Sequence, residues 1–249
     1  MSIEPFKYIQ AKWVYGYHQP MEALRRLDLG KDSSLLVLGA GFGKTSLMAA
    51  EKIGCSIIGA EIAPRLIESA NKRVHEKELT QRVRFQALDP GKPFLDAKQV
   101  DGILFESILS FMKDPIEVLS YYTKMLKSKG KIAILELYFP DENPREEAVN
   151  SARKIFGESA QFKSAETWQG IFNECKLQVE GFYPRGISMR RKFWDDLLEE
   201  PLGTWIELAK TLYMTYKDPG AKKSLDLFRE FFKEHSSTML YGYYILTKN

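Results

Sequence analysis

The sequence predicts an α/β fold, a parallel sheet with helices on both faces. Three observations predict it. Short apolar runs recur at 35–38 (LLVL), 55–61 (CSIIGAE), 83–88 (VRFQAL), 100–105 (VDGILF) and 132–137 (IAILEL). Text of helical period separates most of them, and glycines, Asp-Pro or Lys-Gly turns punctuate the joins. Strands alternating with helices at this spacing form parallel sheets, because each crossover needs a helix to return the chain.

Each element has its own reason. Residues 6–27 are aromatic-rich, with Phe6, Tyr8, Trp13, Tyr15 and Tyr17, and close in a helix through about Leu27. They read either as packing on the sheet edge or, with 1–30 taken together, as a cover over a bound cofactor. LLVL is a continuous apolar run before glycines, the mark of a strand buried on both faces. Thr45 to Ile53 reads as a helix with Leu47, Ala50 and Ile53 on one side. Pro64 suits the first turn of a helix over PRLIESANKRVHE, and Asp114-Pro115 reads as an N-cap and first helical position. That helix runs to about Lys127 and buries Ile116, Leu119, Met125 and Leu126 in part, with KSKGK as the turn into IAILEL.

The last third is helix-rich. Helices are predicted over 144–156 and 164–175, and strands over 177–184 and 239–247. Between those strands Leu202, Trp205, Ile206, Ala209, Leu212, Tyr213 and Tyr216 recur at helical period, and Leu225, Phe228 and Phe232 repeat the pattern. Such a stripe predicts the core of a helical insert over 190–237.

The totals exclude several classes. A chain of 249 residues at 44% hydrophobic content suits one α/β domain, 1–249. Its 36 basic and 33 acidic residues leave +3, too small an excess for a dedicated nucleic-acid binder. Cys55 and Cys175 form no CxxC pair, so neither a zinc ribbon nor a redox motif is expected, and both read as buried free thiols. No metal site is predicted. The N-terminus has no basic region followed by an apolar one, and no run reaches the ~18–20 apolar residues of a spanning helix. A soluble cytoplasmic protein is the default expectation.

The stretch LLVLGAGFGKTS carries the chemistry. A phosphate loop needs G-x-x-x-x-G-K-[ST], and counting back from Gly43-Lys44-Thr45 puts its first glycine at Leu38. A dinucleotide loop needs G-x-G-x-x-G, and its third glycine falls on Lys44 or Ser46. What stands is G-x-G-x-G, Gly39-Ala40-Gly41-Phe42-Gly43, between a strand and a helix. There the chain must turn sharply and leave room beside its backbone, which glycine permits.

This spacing resembles motif I of the class I S-adenosylmethionine-dependent methyltransferases, and further text follows in the family's order. GAEIAP resembles the second motif, Leu88-Asp89 the acidic place after strand three, VDGILFES the fourth-strand motif, and LKSKGKIAILEL the segment leading into strand five. The match covers about 30–140, with a weaker tail at YGYYILT. The resemblance, to the small-molecule, methyltransferase-11 type of that family, implies a Rossmann-like doubly wound seven-stranded sheet with its last strand antiparallel. It implies S-adenosylmethionine as cofactor, with Gly39, Ala40, Gly41 and Gly43 beside the methionine tail. Glu61 would accept from the ribose hydroxyls and Ile62 would pack on adenine. Leu88 and Asp89 would meet the adenine edge, and Phe105 and Glu106 the methionine portion. One departure stands out: where the family usually has Asp or Glu two residues before Gly39, this chain has Val37.

Methyl transfer from a sulfonium is an in-line displacement of an already activated group, so alignment is the protein's main task. A base is needed only where the acceptor must lose a proton, and His18 and Glu106 are the candidates for base or orienting group. The N-P-P-Y text of nucleobase methylases is replaced by FESILSF after strand four, and the paired glutamates of protein arginine methylases are missing. A small organic metabolite is left as acceptor. The insert, with Trp194, Trp205, Tyr213, Tyr216, Phe228, Phe231 and Phe232, would be its cover. Arg185, Arg190, Arg191 and Lys192 read as a solvated face or as a site for an anionic acceptor. The alternatives are a non-catalytic or sensing protein on the same fold and a nicotinamide-dependent oxidoreductase.

Overall fold

The structure is a computed structural model and describes residues 16–89, 99–142, 144, 146–157, 160–235 and 239–248. Side chains are described for all of these except Met189, Glu207, Ser224, Phe228, Phe232 and His235. Phe6, Tyr8, Trp13 and Tyr15 of the expected cover segment lie outside the described residues.

Seven strands form one sheet: β1 Ser34–Leu38, β2 Ser56–Glu61, β3 Val83–Ala87, β4 Val100–Glu106, β5 Leu126–Tyr138, β6 Leu177–Gly186 and β7 Leu240–Lys248. Their order is β3-β2-β1-β4-β5-β7-β6, mostly parallel with the last strand antiparallel. β1 is an interior strand, in parallel register with β2 (Val37↔Gly59, Leu38↔Ala60) and with β4 (Val37↔Leu104, Leu38↔Phe105). Leu35, Leu36, Val37, Ile103, Leu104, Phe105, Ile132 and Ile134 lose essentially all solvent contact. That is why these strands read as unbroken apolar runs and show no alternation. The chain order reverses across β1, with β2 to one side and β4 to the other. In open α/β sheets the crevice at such a switch point, past the strands' carboxyl ends, is where ligands bind.

The helices follow the predicted caps. Pro64–Glu76 begins with proline in its first turn, and Pro115–Met125 is capped by Asp114, which accepts from the Glu117 N–H at 2.9 Å. Its core side is Val118, Leu119 and Tyr122, while Ile116 and Met125 are half-buried. Leu126 belongs to β5, which corrects the helix end expected at Lys127. The KSKGK turn survives as an irregularity within that strand. Pairing passes from Val100↔Leu126 to Gly102↔Lys131, so residues 127–130 stand opposite Asp101 alone, whose carboxylate takes Lys127 Nζ at 2.8 Å. Cys55 and Cys175 are free and buried, and burial pushes both thiols up.

The chain divides into two compact units. One comprises Pro20–Glu136, Glu166–Tyr183 and Gly242–Asn249; the other Met1–Gln19, Leu137–Ala165 and Pro184–Tyr241. In the second unit the predicted insert folds as helices Met189–Glu199, Pro201–Lys217 and Pro219–His235, each break marked by a proline at the next start. Asp218 caps the last by accepting from the Gly220 N–H at 2.8 Å. The predicted stripe on Pro201–Lys217 is present, but it does not form the core. Trp205, Leu212, Tyr213 and Tyr216 are exposed, and the inward side carries Thr204, Thr211 and Thr215. Thr204 and Thr215 donate to the carbonyls of Glu200 and Thr211 at 2.8 and 3.0 Å, which satisfies their hydroxyls without solvent. Among the described aromatics of the insert, Phe231 is the one buried, edge-on to Phe156.

Candidate functional site

The first unit brings the glycine loop, the end of β2 and the end of β4 together. After Leu38 the loop crosses toward β2, with the N–H groups of Gly39 and Ala40 both donating to the Ala60 carbonyl at 2.9 and 3.0 Å. It closes when the Gly43 N–H donates to the Ala40 carbonyl at 2.9 Å. Gly39, Gly41 and Gly43 have φ of 79, 55 and 76°, all in the left-handed region that side chains disfavour. A Cβ on Gly39 would lie 2.5 Å from the Glu106 carbonyl oxygen, and one on Gly43 2.5 Å from the Phe85 ring. The G-x-G-x-G spacing is thus imposed by backbone sign and by close packing against β4 and β3. Helix Lys44–Lys52 starts directly from Gly43, which makes no side-chain cap.

Glu61 is the hub. One carboxylate oxygen accepts from the Gly41 N–H at 2.8 Å. The other accepts from the N–H groups of Ile62 and Ala63 at 2.8 and 3.1 Å. Its own carbonyl accepts from the Leu88 N–H at 2.9 Å. One buried side chain therefore ties the glycine loop to the end of β2, and its backbone ties β2 to the end of β3. Ile62 is half-buried, Leu88 is buried and Asp89 is exposed.

On the other flank, Glu106 is buried at the end of β4 and accepts from Thr45 Oγ1 at 2.9 Å. Phe105 is fully buried, edge-on to Tyr122. Val37 is fully buried in mid-sheet opposite Leu104. Side chains two apart on a strand share a face, so Glu106 lies on Leu104's face, one strand over and two residues beyond position 37. An acid at the loop is present, but on β4 and not on β1.

His18 belongs to the second unit. Its backbone N–H donates to Asp196 at 3.3 Å and its ring Nδ1 lies 3.7 Å from Glu199. Asp196, almost wholly buried, also accepts from the Tyr17 N–H and from Lys192 Nζ at 2.6 Å. Residues 16–18 are thereby pinned to helix Met189–Glu199. Arg185 is held by Asp195 at 3.5 Å and, in the amide orientation its hydrogen bonds require, by the Gln19 side-chain oxygen. Arg190 and Arg191 are exposed, and Lys192 is engaged with Asp196.

Two polar groups near the site escaped sequence reasoning. Thr45 was read as the start of a helix, not as the donor to Glu106. Glu136 is fully buried on β5, accepting from the N–H groups of Leu109 and Ser110 at 2.8 and 3.4 Å and from Ser110 Oγ at 2.8 Å. Burial raises its pKa to about 7 despite those donors, which pull it down. Its signal was a lone acid in the apolar run IAILELY. Glu136 holds the turn Leu109–Phe111, which follows Ser107, itself at φ 51° directly after Glu106. Among the described residues no group of three or more His, Cys, Asp or Glu could hold a metal ion. No described helix is long and apolar enough to cross a membrane.

Residues 36–132 match a family model described as a methyltransferase domain. The fold is Rossmann-like, as in its methyltransferase structural neighbours. Methyltransferase GfsG of Streptomyces halstedii is 28% identical over 123 residues, 49% of this chain and 44% of that protein. An O-methyltransferase of Pyrenophora dematioidea is 26% identical over 159 residues, 64% of this chain and 59% of that protein. The chain thus matches about half the length of these curated methyltransferase relatives. The phosphoethanolamine N-methyltransferase 2 of Haemonchus contortus, solved with S-adenosyl-L-methionine, superposes with a TM-score of 0.72 at 18% identity. That match covers 100% of this chain and 57% of the other, and at such identity it shows the methyltransferase fold alone.

Proposed function

We propose that this chain is an S-adenosylmethionine-dependent methyltransferase acting on a small organic metabolite, of the small-molecule, methyltransferase-11 type. The observation that carries the reading is Glu61, whose carboxylate accepts from the Gly41 N–H at 2.8 Å beside a loop of three left-handed glycines. The donor set suits the cofactor: a carboxylate for two ribose hydroxyls, a Cβ-free backbone for the methionine tail, and the positive end of helix Lys44–Lys52 for its carboxylate. Gly39, Ala40, Gly41 and Gly43 would line the tail, Glu61 the ribose, Ile62, Leu88 and Asp89 the adenine, and Phe105 and Glu106 the methionine end. Glu106, held by Thr45, would take the ammonium role that the family assigns to the residue at Val37. S-adenosylmethionine, when bound, supplies a methyl group already activated for displacement.

Residues 1–30 and the insert 190–237 serve, in this reading, as the cover over the acceptor. The pinning of residues 16–18 to Asp196 supports their acting together. His18 is the candidate base where the acceptor is protonated, with Glu199 orienting its ring. The names of the curated relatives support methyl transfer as the reaction. Val37 favours a second reading, a sensing protein on the same fold, because a fully buried valine offers the ligand no charge.

Incubating the protein with methyl-labelled S-adenosylmethionine and fractionated small-metabolite extracts tests the proposal. Label should appear in one low-mass product and depend on Glu106. Binding of the cofactor without transfer to any fraction would favour the sensing reading.

A further inference from the structure

The insert helix Pro201–Lys217 is inside out. Its threonines face the protein, and its largest apolar side chains face solvent: Leu202 is 71% exposed, Trp205 55% and Tyr216 84%. Trp194 and Leu198, one turn apart on the preceding helix, extend this face at 55% and 83% exposure. A lone exposed leucine needs no explanation, but a contiguous apolar face of this kind marks an interaction surface.

The described charges of these two helices are sorted by sign. Among the described residues, the acids of helix Met189–Glu199 turn inward. Asp195 lies 3.5 Å from Arg185, Asp196 is buried under Lys192, and Glu199 lies 3.7 Å from the His18 ring. Among the described side chains of these two helices the exposed charges are basic: Arg190 and Arg191 on that helix, Lys210 and Lys217 on the next. Lys210 and Lys217 are seven residues apart, two turns along one edge of the apolar face. Lysines there can lay their stems along apolar surface and present ammonium groups to an anionic plane. Exposed Trp, Tyr, Leu and Ile bordered by cations is the pattern of helices that lie in a bilayer interface. The same cations would repel one another across a two-fold contact between copies, so the charge pattern favours lipid over a second copy.

We propose that the outer face of Pro201–Lys217, with Trp194 and Leu198, docks this protein on the surface of an anionic lipid bilayer. It lies on the membrane without crossing it. The site and its test are independent of the methyl-transfer reading.

Vesicle flotation tests it, using the whole protein with phosphatidylcholine vesicles and with an equimolar mixture of phosphatidylglycerol and phosphatidylcholine. The protein should float with the mixed vesicles at least roughly tenfold more than with pure phosphatidylcholine, with tryptophan emission shifting to the blue. A double variant, Trp205→Ser with Tyr216→Ser, should lose the binding while keeping its thermal transition, because both side chains are exposed. Lys210→Glu with Lys217→Glu should lose the preference for anionic lipid. No binding by the wild type, or binding unmoved by either pair, would overturn the proposal. So would a stable dimer in sedimentation equilibrium with no vesicle binding, which would assign the face to a second copy.

Discussion

Glu61→Ala should weaken binding of S-adenosylhomocysteine by at least about 100-fold, because it removes the two charge-assisted bonds proposed to the ribose, at about 1.5–3 kcal/mol each. It should also loosen the unliganded protein. The N–H groups of Gly41, Ile62 and Ala63 all lose their acceptor, and a buried unpaired donor costs roughly 1–3 kcal/mol. Glu61→Gln separates the two effects. Its amide oxygen can accept from the Gly41 N–H or from those of Ile62 and Ala63, but not from both sides, so it keeps part of the tie while the charge proposed for ribose binding is gone. Calorimetric titration beside thermal unfolding reads both. The expected pattern is loss of binding in both variants, with the larger fall in stability for alanine. Wild-type affinity in Glu61→Gln would remove the carboxylate from the ligand site and leave it a structural tie.

Glu136→Gln should flatten the dependence of stability on pH. The folded protein holds this carboxyl at about 7, above the ordinary 4.5, because burial penalises its charged form. The raised folded value means that the folded state binds the proton more tightly than the unfolded chain. Its stabilising contribution is therefore full below about pH 4.5, falls through the window up to about 7, and is lost above it. A shift of this size corresponds to something on the order of 3 kcal/mol. Glutamine can still accept from the Leu109 N–H and donate to Ser110 Oγ, so the Leu109–Phe111 turn should persist. Denaturant unfolding at about pH 5 and about pH 8 should show the wild type losing a few kcal/mol relative to the variant. Parallel losses in the two proteins would mean that Glu136 does not carry the shift.

These two carboxylates differ in how far the sequence revealed them. Glu61 was legible because it stands at the end of an apolar run, at a fixed place after the glycines, where chemistry and chain geometry coincide. The strands were legible for the same local reason. Burial on both faces demands unbroken apolar text, and the loop demands glycine wherever φ is positive. Glu136 was not read, since its partners, Leu109 and Ser110, come from a distant turn and no local spacing announces them. The helix Pro201–Lys217 shows the opposite failure. Its period was read correctly and its direction was not, because a period fixes which residues share a face and not what that face meets. Threonines that satisfy their hydroxyls on the backbone can line an interior, so polarity alone did not fix the inward side. Val37 likewise became intelligible only through register, which puts Glu106 two residues further along on the neighbouring strand.

The central claim is that the glycine loop with Glu61 forms a site for an adenosyl-sulfur ligand. Calorimetric titration of the whole protein with S-adenosylhomocysteine, S-adenosylmethionine and NAD tests it most directly. Saturable one-to-one binding of both adenosyl-sulfur ligands, with no heat from NAD, is the predicted result. Binding of NAD in preference to both, or binding of none of the three, would contradict it.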